Sequence, residues 1–175
     1  MSNRIKLSIA LVATGALFLA GTAVAAGGLK LNEVLNGYEE VPAVSTAATG
    51  EFQANVTESD DAINFSISYS GLEGDVTQAH IHFGQADVNG GISVFFCTNL
   101  GNGPAGTPAC PPAPATVEGT IDAADVIGPT AQGIAPGELA ELVRAIKAGV
   151  TYVNVHTTKF PGGEIRAQVR AKRNR

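Results

Sequence analysis

Short stretches of this chain alternate apolar and polar residues with period two, and each is closed by glycine, proline, asparagine or aspartate. Phe52, Ala54 and Val56 form one apolar row. Ile63, Phe65, Ile67 and Tyr69 form the next, followed by Ala79, Ile81 and Phe83, then Val153 and Val155, then Ile165, Ala167 and Val169. Successive side chains on a strand point to opposite faces, so each row can be buried only if the strand joins a sheet whose one face meets a core. The turn Glu58-Ser59-Asp60-Asp61 joins the first two rows as a hairpin. Asn89-Gly90-Gly91 is a second hairpin turn signal, since glycine and asparagine accept positive φ. Leu29–Asn32, Ile92–Cys97 and Thr116–Ile121 read as further strands.

One longer helix is expected. Leu139, Leu142, Val143 and Ile146 recur at helical spacing while Glu138, Glu141, Arg144 and Lys147 take the outside. Pro136 suits its first turn and Gly149 its end. Asp122 reads as the cap of a shorter helical turn. About seven short strands with polar turns and one amphipathic helix predict an all-β antiparallel sandwich. No repeat and no domain linker divides the chain.

Residues 1–25 read as a secretory signal peptide: Arg4 and Lys6 precede the apolar run Leu7–Ala20, and Ala23-Val24-Ala25 is a small-x-small cleavage signal. Export to the periplasm or the medium is therefore expected, with cleavage near Ala25. No cysteine stands directly after the run to carry a lipid at the mature N-terminus. No later apolar stretch is long enough to span a membrane. The segment removed carries two cations and no acid, so the mature charge is more negative than the −5 of the full chain. That argues against nucleic acid as a partner, because phosphate binding needs a basic face. Residues 170–175 are an exception, a basic tail whose simplest role is solvation.

Both cysteines, Cys97 and Cys110, follow the signal. In an oxidising compartment an even pair reads as a disulfide. It would staple a loop of Asn, Gly, Pro and Thr that cannot build a core. The alternative, two thiolates on a metal, needs reduced sulfur.

All three histidines fall on polar faces of strands. His80 and His82 lie opposite Ala79, Ile81 and Phe83; His156 lies with Tyr152 and Asn154 opposite Val153 and Val155. Glu164, Arg166 and Gln168 share the polar face of the last strand. If these strands are neighbours, His80, His82, Asn154, His156, Glu164 and Arg166 gather into one patch. Histidines two apart can turn towards one ion, and imidazole suits copper, zinc or nickel. A third histidine would complete a three-nitrogen set, with water, a ligand or Glu164 in the fourth place. Binding would then weaken as pH falls through the ordinary histidine range. The plainer alternative is a hydrogen-bonded network of these residues holding the strands in register. Arg166 disfavours a cationic guest unless Glu164 pairs with it. The acids Glu39, Glu40, Asp60 and Asp61 lie in turns and are expected in solvent. No Gly-x-Ser-x-Gly nucleophile, phosphate loop or calcium loop is present, so catalytic residues are not assigned.

Four ordered motifs carry a resemblance: Glu40-Val41-Pro42, Ala79-His80-Ile81-His82, Tyr152-Val153-Asn154-Val155-His156-Thr157 and Pro161-Gly162-Gly163-Glu164-Ile165-Arg166. The sequence from about Leu31 to Val169 resembles the CHRD domain family, named after chordin and found alone in many exported bacterial proteins. The resemblance implies a Greek-key β-sandwich of immunoglobulin-like or copper/zinc superoxide dismutase-like form over residues 26–169. It implies little about activity. Dismutation is not expected, because it needs more ligands than three histidines supply, and fold alone does not give function. The expectation is an exported, non-enzymatic binding module with a histidine-lined surface site for copper or zinc. The alternative is a structural or adhesive envelope protein using the same residues as a network; a metal-dependent enzyme is the third reading. Partners under these readings are a metal ion, an extracellular protein or an envelope component.

Overall fold

The computed structural model describes residues 28–171. The signal segment and the end of the basic tail lie outside the described residues. In chain order the elements are β1 (Leu29–Asn36), β2 (Thr49–Val56), β3 (Ile63–Ser70), β4 (Val76–Phe83), β5 (Gly91–Thr98), β6 (Ala115–Ile121), α1 (Leu139–Lys147), β7 (Thr151–Thr157) and β8 (Ile165–Val169). Short 3-10 turns occupy Gly37–Glu39, Ala123–Asp125 and Thr130–Gln132. Among the described residues no helix is long and apolar enough to cross a membrane.

The eight strands form one antiparallel sheet in the order β5-β4-β7-β8-β1-β2-β3-β6. The all-β antiparallel expectation therefore holds, with one refinement. Asn36 of β1 pairs with Arg166 of β8, so the two halves of the sandwich are joined into one continuous sheet. That sheet curls. Phe96 of the edge strand β5 reaches across to Phe52 of β2, ring centroids 5.5 Å apart, and to Phe65 of β3 at 4.6 Å. The apolar rows read from the sequence line the inside: Phe52, Val56, Ile63, Ile67, Ile81, Val94, Val153, Val155 and Ile165 are all buried. Each such side chain contributes about 1.5–3 kcal/mol by leaving water.

Helix α1 buries Leu139, Leu142, Val143 and Ile146 as its spacing requires. It starts at Leu139, later than Pro136 suggested, and Gly149 follows it at φ 72°. Asp122 caps its 3-10 turn, its Oδ1 accepting from Ala124 N–H at 2.7 Å. In the β4–β5 connection the positive φ of 63° falls on Asp87, not on Asn89-Gly90-Gly91. The side chain of Asn89 is used elsewhere, as described below.

Cys97 and Cys110 form a disulfide, 13 residues apart in sequence. Asn99 braces the same loop: its Nδ2 donates to Val76 O (2.9 Å) and Cys110 O (3.0 Å), and Cys110 N–H donates to its Oδ1 (3.0 Å). Replacing both cysteines by alanine should cost about 3 kcal/mol, the loop-closure entropy released to the unfolded chain. The midpoint of urea unfolding checks it; an unchanged midpoint would mean that Asn99 alone holds the loop.

Candidate metal centre

Strands β4, β7 and β8 lie side by side, and their register decides which polar residues meet. His80 pairs with Asn154, His82 with Tyr152, Gln78 with His156, and Asn154 in turn with Arg166. The polar rows thus form one field on the outside of the sheet. It is not a wet face. His80 is fully buried, and His82, Asn154, His156, Glu164, Arg166 and Gln168 are all at most 7% exposed. Every residue of β7 is buried, on both faces. The expected surface site is therefore an enclosed one. Period-two alternation reports which residues share a face, but not whether loops roof that face.

Three segments make the roof. The β4–β5 connection is held down by Arg166, which donates to Asn89 Oδ1 (3.2 Å), Val88 O (3.0 Å) and Gln85 O (3.4 Å). Asn89 then donates from Nδ2 to Val41 O at 2.8 Å, tying in the segment after β1. The β7–β8 connection closes the third side through Pro161, whose carbonyl oxygen lies 2.9 Å from His156 Nδ1.

Under this roof the three histidines converge: one ring nitrogen from each lies within 4.8 Å of the others. Nitrogens sharing a tetrahedral ion at bonds of about 2.0–2.1 Å are about 3.3 Å apart, so the rings would have to close and His156 Nε2 would have to exchange its contact with His80 Nδ1 for the ion. The tautomers follow from the partners. Gly90 O accepts from His82 Nδ1 (3.0 Å) and Pro161 O from His156 Nδ1 (2.9 Å), because a carbonyl oxygen can only accept. Both rings are thereby fixed with a lone pair on Nε2, the orientation backbone carbonyls give to metal-binding imidazoles. His80 Nδ1 lies 3.2 Å from His156 Nε2 and must donate to it. That leaves His80 Nε2 and His82 Nε2 buried without any hydrogen-bond partner. Asn154 Oδ1 lies 3.1 Å from His156 Nε2, two acceptors face to face, which rotation of the Asn154 amide resolves.

Burial holds all three rings neutral. His80 is depressed to about 2 and His82 to about 4, chiefly by loss of water, and His156 is lowered for the same reason.

The remaining residues form a second layer. The Tyr152 ring stacks on His82, centroids 4.6 Å apart and planes within 4°. On its other side the Arg166 guanidinium lies 3.4 Å from the ring centroid. Gly90 N–H donates to Tyr152 Oη at 3.2 Å, so the same glycine touches both stacked rings.

Glu164 does not join the histidines. Its Oε1 accepts from Thr46 Oγ1 (2.9 Å) and Glu73 N–H (2.8 Å), and its Oε2 from Thr157 Oγ1 (2.8 Å). It is a joint between three loops, and its oxygens are spent there rather than on a fourth coordination place. Nor does it partner Arg166. Glu40, expected in solvent from the turn-like character of its neighbourhood, is in fact 5% exposed, and its Oε1 is buried without a hydrogen-bond partner. Loss of water raises Glu40 to about 7, partly offset by the Arg166 charge and by the Asn154 side chain. Only the motif Glu40-Val41-Pro42 marked it; no periodicity could. Gly163 makes room for it: at φ 127°, a Cβ there would lie 2.3 Å from Glu40 Oε1. Gly163→Ala should therefore cost about 2 kcal/mol or more and displace the Glu40 carboxyl. Thermal unfolding checks this, and a neutral outcome would show the carboxyl free to turn aside.

A curled antiparallel domain with a roofed three-histidine cluster on its outer face defines the class: an all-β module with a potential ion site and no assigned catalytic group. Residues 31–169 match the CHRD domain, and the chain belongs to that family. No curated protein and no solved structure matches it.

Proposed function

We propose that this is an exported CHRD-domain module that binds one copper or zinc ion through His80, His82 and His156, without catalysing a reaction. The observation that carries this reading is the pair of buried Nε2 atoms, on His80 and His82, that have no hydrogen-bond partner. Each such unpaired acceptor costs about 1–3 kcal/mol. An ion gives them a partner. The leader read from the sequence and the disulfide support export.

The second reading, a structural or adhesive envelope protein with a histidine network, is favoured by the bonds that do exist: His80 to His156, and His82 and His156 to backbone carbonyls. One experiment separates the two. The untagged mature domain is purified, its metal content measured by elemental analysis, and copper and zinc titrated into the stripped protein. One equivalent is expected, and replacing all three histidines by glutamine should abolish it. Absence of stoichiometric binding, or binding that survives the triple replacement, leaves the network reading in possession.

A further inference from the structure

Three neutral imidazoles bring no charge to offset an ion, and a buried carboxyl in the same polar field has no partner of its own. We infer, resting on the metal-binding reading above, that Glu40 is the charge-balancing residue of the three-histidine site. It is a positioning residue that acts on a bound ion through Asn154.

The Glu40 carboxyl is built into the field without being satisfied by it. The residue is 5% exposed, and its Oε1 is buried without a hydrogen-bond partner, as are Nε2 of His80 and of His82. Its backbone is pinned on both sides: Glu40 N–H donates to Gly37 O (3.2 Å), and Val41 O accepts from Asn89 Nδ2 (2.8 Å). Gly163 leaves the space the carboxyl fills, since a Cβ there would collide with both carboxyl oxygens. Arg166 spends its guanidinium on Asn89, Val88, Gln85 and the face of Tyr152. An acid held dry and unpaired is costly, and a cation nearby offsets that cost.

Asn154 stands between Glu40 and the histidines. Its Oδ1 lies 3.1 Å from His156 Nε2, and its side chain also reaches the Glu40 carboxyl, where it favours the charged form. A side-chain amide has one accepting end and one donating end. With Nδ2 turned to His156, Oδ1 is left to Glu40, and two acceptors meet there unless the carboxyl holds a proton. With Nδ2 turned to Glu40, Oδ1 faces the His156 lone pair. An ion on that lone pair removes the conflict. Nδ2 then serves the ionised carboxylate, and Oδ1 presents its negative end to the ion.

The other acid of the field is committed elsewhere: Glu164 accepts from Thr46, Glu73 and Thr157. Among the described residues no carboxylate joins the histidine cluster directly. Glu40 is therefore the charge available to a bound ion. Buried charges are screened little by salt, and the attraction on a divalent ion is twice that on a monovalent one.

That doubling supplies the test, on the untagged mature domain at pH 8, above the value of about 7 to which burial raises the Glu40 carboxyl. Zn2+ affinity is measured against a zinc-chelating dye, and Cu+ affinity anaerobically against bicinchoninate. Glu40→Gln keeps the size of the side chain and removes its charge. It should keep one equivalent of each ion, weaken Zn2+ by about 10-fold or more and weaken Cu+ by only about 3-fold. An unchanged Zn2+ affinity overturns the inference, as does an equal loss for the two ions, which would mark a role in shape alone; either leaves the metal-binding reading standing. Failure of the wild type to bind either ion overturns both. A crystal structure of the zinc-loaded wild type needs no variant: the Glu40 carboxylate should lie against Asn154, and a carboxylate turned away from it overturns the inference.

Discussion

Glu164→Ala should destabilise the domain by about 4 kcal/mol and leave metal stoichiometry unchanged in whatever protein remains folded. The carboxylate is fully buried and accepts from two threonine hydroxyls and one backbone N–H. Those donors belong to the segment after β1, the β3–β4 connection and the end of β7, so one side chain ties the segment after β1 to the other two. A hydrogen bond to a charged acceptor contributes about 1.5–3 kcal/mol, and donors left dry add their own penalty. Against a typical total stability of about 5–15 kcal/mol, the loss is large. Glutamine keeps an acceptor at one position and should cost roughly half as much. Urea unfolding and metal titration on the two variants decide the matter. The opposite pattern, ion binding lost at wild-type stability, would return Glu164 to the histidine site as a ligand.

The second large effect is on pH. In the ion-free domain His80, His82 and His156 are neutral because they are buried, and their folded values lie below those of an unfolded chain. A base depressed in this way contributes stability that is complete above the unfolded value of about 6.5 and is lost as pH falls towards the folded value. Over that window the unfolded state binds up to three more protons. Glu40 acts in the opposite sense: raised to about 7 when folded, it takes up its proton earlier in the native state and returns stability as pH falls. The net from His80, His82 and Glu40 is about one proton, or about 1.4 kcal/mol per pH unit between pH 6 and 4.5, and His156, lowered by burial, adds in the same direction as the other histidines. Tyr152, which stacks on His82, is raised by burial and stays neutral throughout this window. The ion-free protein should therefore lose about 2 kcal/mol or more between pH 6 and 4.5, a substantial part of a typical stability. Urea midpoints at a series of pH values test this. Replacing the three histidines by glutamine should remove the slope or reverse it, because only the Glu40 contribution remains. A slope that persists in the triple variant would place the titration elsewhere.

The sequence carried the strand pattern well because each apolar row is long enough to show period two. Ile63, Phe65, Ile67 and Tyr69 leave no doubt about β3. His80, His82 and His156 were legible for the same reason: faces follow from parity, and these strands are neighbours. What parity could not show was the roof. Burial of the outer face depends on Arg166 reaching over the β4–β5 connection and on Asn89 reaching to Val41, contacts about 77 and 48 residues apart in the chain. Glu164 and Glu40 exchanged their expected parts for a similar reason. Glu164 has the parity of the last strand's polar row but lies before β8 begins, where its carboxylate turns to the loops. Glu40 follows a 3-10 turn that carries its side chain inward, over Gly163. A turn acid has no periodicity from which to read this.

The roof has a consequence for time rather than affinity. With all three ring systems closed off from solvent, an ion could enter or leave only when the β4–β5 connection lifts from Arg166 or the Pro161 segment parts from His156. Exchange would then proceed at the rate of a local opening, not of diffusion. A module built this way would keep the ion it folded around, and its metal content would record the composition of the compartment where it folded.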